Sequence, residues 1–85
     1  MISFEYVVTD PVGIHARPAG ILAKKVKDYE SKVTIKKGDK AAEVQKLMAV
    51  MALGVKQNDK VLIEIEGADE EKCATDMEEF FKENF

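Results

Sequence analysis

"DPVGIHARPAGILAKKVKD", residues 10–28, ends one kind of secondary structure, starts another and holds the only histidine in the chain. Asp10-Pro11-Val12-Gly13 is turn chemistry: proline fixes φ, and glycine opens backbone conformations that other residues avoid. From Ala19 the apolar residues Ala19, Leu22, Ala23 and Val26 recur at i, i+3, i+4 and i+7, one stripe of an amphipathic helix that runs to about Asp28. Pro18 lacks an N–H and is tolerated only in a first turn. The helix therefore begins either at Pro18, which the restriction on Arg17 favours, or at Ala16 with His15 as its cap. In both registers the imidazole stands within about three residues of a helix N-terminus.

Upstream, Ile2, Phe4, Tyr6 and Val8 alternate with Ser3, Glu5 and Val7, the period of a half-buried strand. Downstream, Val33 and Ile35 alternate with lysines and threonine, "KKGDK" supplies a glycine turn, and a short strand over Ala41 to Val44 completes a hairpin. "KLMAVMALG" reads as a short helix, apolar nearly all round, closed by Gly54. Residues 60–66 alternate again. Asp69, Glu70 and Glu71 suit the positive end of a last helix, whose buried stripe is Cys73, Met77, Phe80 and Phe81. The order βαββαβα predicts an α+β fold of two layers, one antiparallel or mixed sheet with helices on one face.

Eighty-five residues support one hydrophobic core, so residues 1–85 read as a single domain without room for an enclosed enzyme cleft. Hydrophobic residues at 46% and charged residues at 34% describe a globular, soluble protein. A formal charge of −3 gives no general attraction to nucleic acid. Its distribution is uneven: Arg17, Lys24, Lys25 and Lys27 stand together without an acid, whereas nine acids from Glu64 onward face only Lys72 and Lys82. Cys73 is the single cysteine, which excludes an intramolecular disulfide and fits a reducing compartment. No apolar run approaches the roughly 20 residues of a membrane helix, and "MISFEYVV" has no basic leader region. A cytoplasmic monomer, without membrane insertion, is expected.

A helix N-terminus presents unpaired N–H groups and a partial positive charge, and so suits an anion such as phosphate. His15 sits there. The dipole disfavours an imidazolium, and a neutral imidazole is a nucleophile where a protonated one is not. Arg17 can give charge-assisted hydrogen bonds to an arriving phosphoryl group. Gly13 frees the backbone beside the ring, and Ala16 is too small to cover it. Arg17, Gly20, Lys24 and Lys27 are spaced three and four apart, so a basic stripe opens at His15. Gly20 inside a helix costs roughly 1 kcal/mol relative to alanine, which close approach of another surface would explain. Leu47, Met48, Val50, Met51 and Leu53 exceed what one short helix can bury, so some are expected on the surface as adaptable contacts. A ferredoxin-like metal or nucleotide module shares much of this element order. It would want a Cys-x-x-Cys pair or a glycine-rich phosphate loop, and the chain has neither, so no cofactor or metal is expected.

"GIHARPAG", then "KLMAVMALGV" about thirty residues on, then "EGADEE" before the last helix, resemble the HPr family of histidine-containing phosphocarriers over essentially the whole chain. The resemblance implies an open-faced β-sandwich, a four-stranded antiparallel sheet covered on one face by three helices. It implies that His15 accepts a phosphoryl group on Nδ1 from phosphorylated enzyme I and passes it to the IIA domains of sugar permeases, with Arg17 beside it. A paralogue serving a nitrogen-regulatory branch would look alike. By the same resemblance Gly20, Lys24, Lys27, Lys46, Leu47, Met48 and Met51 fall on the partner surface. One position departs from the pattern. Many Gram-positive members carry a kinase-phosphorylated serine just before the methionine-rich run, where this chain has Lys46, and neither Gln45 nor Glu43 offers a hydroxyl in its place.

Overall fold

All 85 residues are described by a computed structural model, and they form β1 (Ile2–Val7), α1 (Ala16–Val26), β2 (Ser31–Lys37), β3 (Lys40–Glu43), α2 (Leu47–Ala52), β4 (Lys60–Gly67) and α3 (Glu70–Asn84). The strands make one antiparallel sheet in the order β1-β4-β2-β3. The period-2 patterns fall into register across it. Ile65 lies between Ile2 and Val33, and Ile63 lies between Phe4 and Ile35, which in turn faces Ala42. Side chains at these positions point to one face, so the rows become a continuous apolar floor.

The helices cover that floor as an open-faced α+β sandwich. α1 contributes Ala19, Leu22, Ala23 and Val26, the predicted stripe, all buried. α3 contributes Cys73, Ala74, Met77 and Phe81. Phe81 meets Phe4 and Tyr6 edge-on at ring-centroid distances of 6.1 and 5.6 Å, which fixes α3 over β1. Phe80, expected in the stripe, is half-buried and leans on Phe85, which is itself buried and completes the core.

Several boundaries differ from the sequence reading: β1 ends at Val7 with Val8 buried just beyond it, and α1 ends at Val26 rather than about Asp28. The hairpin's second strand runs Lys40–Glu43, with Val44 buried just beyond it. α2 has only six residues, and Val50 is the one it buries fully.

The segment from Thr9 to Gly13, which leads to the histidine, is fastened at both ends. Phe85's main-chain oxygen accepts the Thr9 and Asp10 N–H groups at 2.6 and 2.9 Å. Gly13, at φ +79°, lies so close to the loop after α2 that a Cβ there would sit 2.3 Å from the Val55 carbonyl oxygen. Ile14 N–H donates to that same oxygen at 3.2 Å. Only glycine satisfies both the left-handed backbone and the close approach.

Candidate functional site

The open question of helix register closes at Ala16, with His15 as the N-cap in extended backbone conformation, φ −127° and ψ 168°. Its carbonyl accepts the Ala19 N–H at 3.1 Å, the first bond of the helix. The imidazole itself makes no capping hydrogen bond and is 36% exposed. The Ala16 and Arg17 amides make no backbone hydrogen bond, and Pro18 has no N–H to lose. The ring thus stands beside free donors without serving as a cap.

His15 opens onto a shallow hollow of about 290 Å³ lined also by Asp10, Arg17, Pro18, Ile21, Glu83 and Asn84. Arg17 is exposed and engages no carboxylate. Asp10 places Oδ2 3.6 Å from His15 Nε2, and its Oδ1 accepts the Val12 N–H at 2.8 Å. The rim is therefore mixed in charge. Asp10 and Glu83 are acids that the sequence reading missed. The signal for Asp10 was local, an Asx turn in "DPVG"; Glu83 reaches the site only through the packing of α3, which no local pattern reports. No three His, Cys, Asp or Glu side chains come together in a metal-binding arrangement.

On α1 and at its C-cap the stripe is exposed at Arg17, Lys24 and Lys27, and Gly20 is half-buried with nothing within 4 Å of where a Cβ would stand. None of these three cations is in an ion pair, whereas Lys32, Lys36, Lys37, Lys46, Lys60, Lys72 and Lys82 all are. Lys46 is exposed but not free: its Nζ lies 3.2 Å from Glu43 Oε2, while Lys32 reaches the other oxygen at 3.4 Å. Hydrogen bonds from Lys46 and then Lys32 hold the Glu43 carboxyl below its usual range. α2 packs against α1. Leu47 and Met51 are half-buried against the core, so the apolar exposure expected of α2 narrows to Met48, 79% exposed. Val12 and Ile21 add exposed apolar side chains that periodicity did not single out.

Fold and site together define a small α+β protein with a partly exposed histidine at a helix start, set among Asp10, Arg17 and Glu83, with unpaired lysines further along the same helix and scattered exposed apolar side chains. Residues 2–83 match the family model described as the PTS HPr component phosphorylation site. The chain is 34% identical over 85 residues to phosphocarrier protein HPr of Mycoplasma genitalium, an alignment covering 99% of this chain and 97% of that protein. It is 40% identical over 74 residues to HPr of Mycoplasma pneumoniae, covering 86% and 84%. Among solved structures, a Mycoplasma histidine-containing phosphocarrier superposes with TM-score 0.88 at 32% identity over 93% of this chain and 90% of that one. HPr-C-His from Thermoanaerobacter tengcongensis gives TM-score 0.89 at 27% identity over 96% and 92%. The chain belongs to the HPr family, the phosphocarriers of the phosphotransferase system.

Proposed function

We propose that His15 is the phosphoryl acceptor of this carrier, charged by phosphorylated enzyme I and discharged to the IIA domains of sugar permeases in the cytoplasm. The observation that carries the reading is the half-exposed imidazole at the N-cap of α1, relieved of capping and set beside free backbone donors and an unpaired Arg17. The lone pair of Nδ1 attacks phosphorus, and the electron pair of the donor's bond to phosphorus leaves with the donor. Arg17 and the first amides of α1 meet the negative charge of the phosphoryl oxygens. The hollow is open rather than enclosed, which suits a group that must be handed between two larger proteins. The protein is then a substrate of phosphotransferases, not itself an enzyme, and its 85 residues act as one domain on one core.

Incubation with phosphoenolpyruvate and enzyme I should label the wild type, and the label should be lost in acid as a phosphohistidine is. His15→Ala should take no label while keeping its stability to within about 1 kcal/mol, because the ring makes no capping hydrogen bond and is partly exposed. Labelling of His15→Ala would refute the assignment.

A further inference from the structure

Asp10 is held more tightly than a surface loop acid needs to be. Its N–H donates to Phe85 O at 2.9 Å, its carbonyl accepts the Gly13 N–H at 2.9 Å, and Oδ1 accepts the Val12 N–H at 2.8 Å. With the backbone and one carboxylate oxygen fixed, the other oxygen is aimed at His15, 3.6 Å from Nε2. The remaining charged groups of the hollow are Arg17 and Glu83. Asp10 is the one with an oxygen in ion-pair range of the ring.

We infer that Asp10 is a positioning residue that keeps the imidazole proton on Nε2 and so presents Nδ1 with its lone pair free. This rests on the reading of His15 as phosphoryl acceptor. A neutral imidazole carries one N–H, and an ionised carboxylate on the Nε2 side favours the tautomer with the proton there. At 3.6 Å the contact is an ion-pair separation, and such contacts shorten when charge develops in the reacting complex. Charge does develop. When Nδ1 bonds to phosphorus and the donor's bond breaks with its pair leaving on the donor, the ring keeps its Nε2 proton and becomes cationic. Asp10 faces that cation. In the onward step the P–Nδ1 bond breaks, its pair returns to Nδ1, and the ring is again neutral with Nε2–H. No proton enters or leaves in either direction, so the leaving group is a neutral imidazole rather than an anion.

Two variants separate the charge from the turn. Asp10→Asn keeps an oxygen to accept the Val12 N–H but has no charge; Asp10→Ala loses both. Imidazole ¹⁵N shifts of the unphosphorylated protein, read with the ring neutral, should show mainly Nε2–H in the wild type and a larger Nδ1–H share in both variants. Transfer from enzyme I, and the pKa of the phosphorylated ring followed by ³¹P NMR, should both fall, transfer by about tenfold, the size of one pKa unit. Amide spectra check that the fold survives. If Asp10→Asn matches the wild type in tautomer and in phosphorylated-ring pKa, Asp10 is merely a turn residue and the inference is overturned. Failure of the wild type to take phosphate would instead overturn the assignment of His15, and the tautomer measurement would still decide the role of Asp10.

Discussion

Gly13 and Gly20 flank the histidine, yet a methyl group would meet opposite fates at the two. At Gly13 it would strike the Val55 carbonyl in a backbone with positive φ, so Gly13→Ala should destabilise the protein by more than about 2 kcal/mol, the left-handed strain plus the clash. At Gly20 it would meet open space, and Gly20→Ala should stabilise the isolated protein by up to about 1 kcal/mol. The same methyl should weaken enzyme I binding where a partner comes close to the helix backbone. Denaturant unfolding and a binding titration decide both, and unchanged binding by Gly20→Ala would remove the argument for close approach there. Lys46 is a residue whose meaning changes with its neighbour. Read alone it adds a cation to the partner surface, but in the fold it is shared with Glu43. Lys46→Glu should set two carboxylates side by side and weaken enzyme I binding by roughly two- to fivefold at low salt, the size of a surface charge contact. An equal dissociation constant at low salt would place Lys46 outside the interface.

At the scale of elements, alternation and periodicity are enough wherever one face is buried: Phe4, Tyr6, Ile63 and Ile65 lie on the strand face the pattern assigns, and Leu22 and Val26 on the helix stripe. α2 was less legible, because "LMAVMA" is apolar on every side and carries no phase from which to read its buried face. Nor does any local pattern state that β4 inserts between β1 and β2, since that depends on contacts between distant residues. Asp69 illustrates the same limit. Its position suits the start of α3, but its side chain does not cap that helix; the carboxylate instead accepts the Glu30 N–H at 2.9 Å and the Ser31 hydroxyl, tying α3 to the start of β2. Those bonds, the Ser31 hydroxyl first, hold the Asp69 carboxyl below its usual range. The folded form therefore takes up its proton at lower pH than the unfolded form. The contribution is complete above the unfolded value, about 3.9, and is lost as pH falls through the folded one. Glu43, Asp59, Glu70 and Asp76 are lowered too, so stability should drop steeply below about pH 4. Denaturant midpoints from pH 6 to pH 2 should show a flatter decline in Asp69→Asn, and an unchanged slope would mean that the tie carries no pH dependence.

At the scale of the whole molecule, the site is a meeting of chain regions that sequence order keeps apart. His15 and Arg17 were legible because one short motif holds both, whereas Asp10 reaches the ring through the loop fastened to Phe85, and Glu83 joins the lining of the hollow through the docking of α3. Charge is organised on the same scale. Most lysines on the sheet and on α3 are paired with acids, while Arg17, Lys24, Lys25 and Lys27 on and just after α1 remain unpaired. Of these, Arg17, Lys24 and Lys27 share one stripe, which leaves a local positive field on a molecule whose net charge is −3, whereas Lys25 lies toward the acids of α3. That field should steer encounters with an acidic partner surface, and salt should screen it over about 8 to 10 Å. Lys24→Glu with Lys27→Glu should lower the association rate with enzyme I by roughly tenfold at low ionic strength and flatten its salt dependence, without changing the phosphorylated product. Net charge alone would also slow association, so the comparison needs a matched pair elsewhere. Lys40→Glu with Lys60→Glu changes the net charge equally but acts on β3 and β4. Stopped-flow association over a range of salt should separate the two doubles, with the sheet variant close to wild type. Equal slowing in both would mean that enzyme I senses total charge, and that the lysines of α1 are only a solvated helix face.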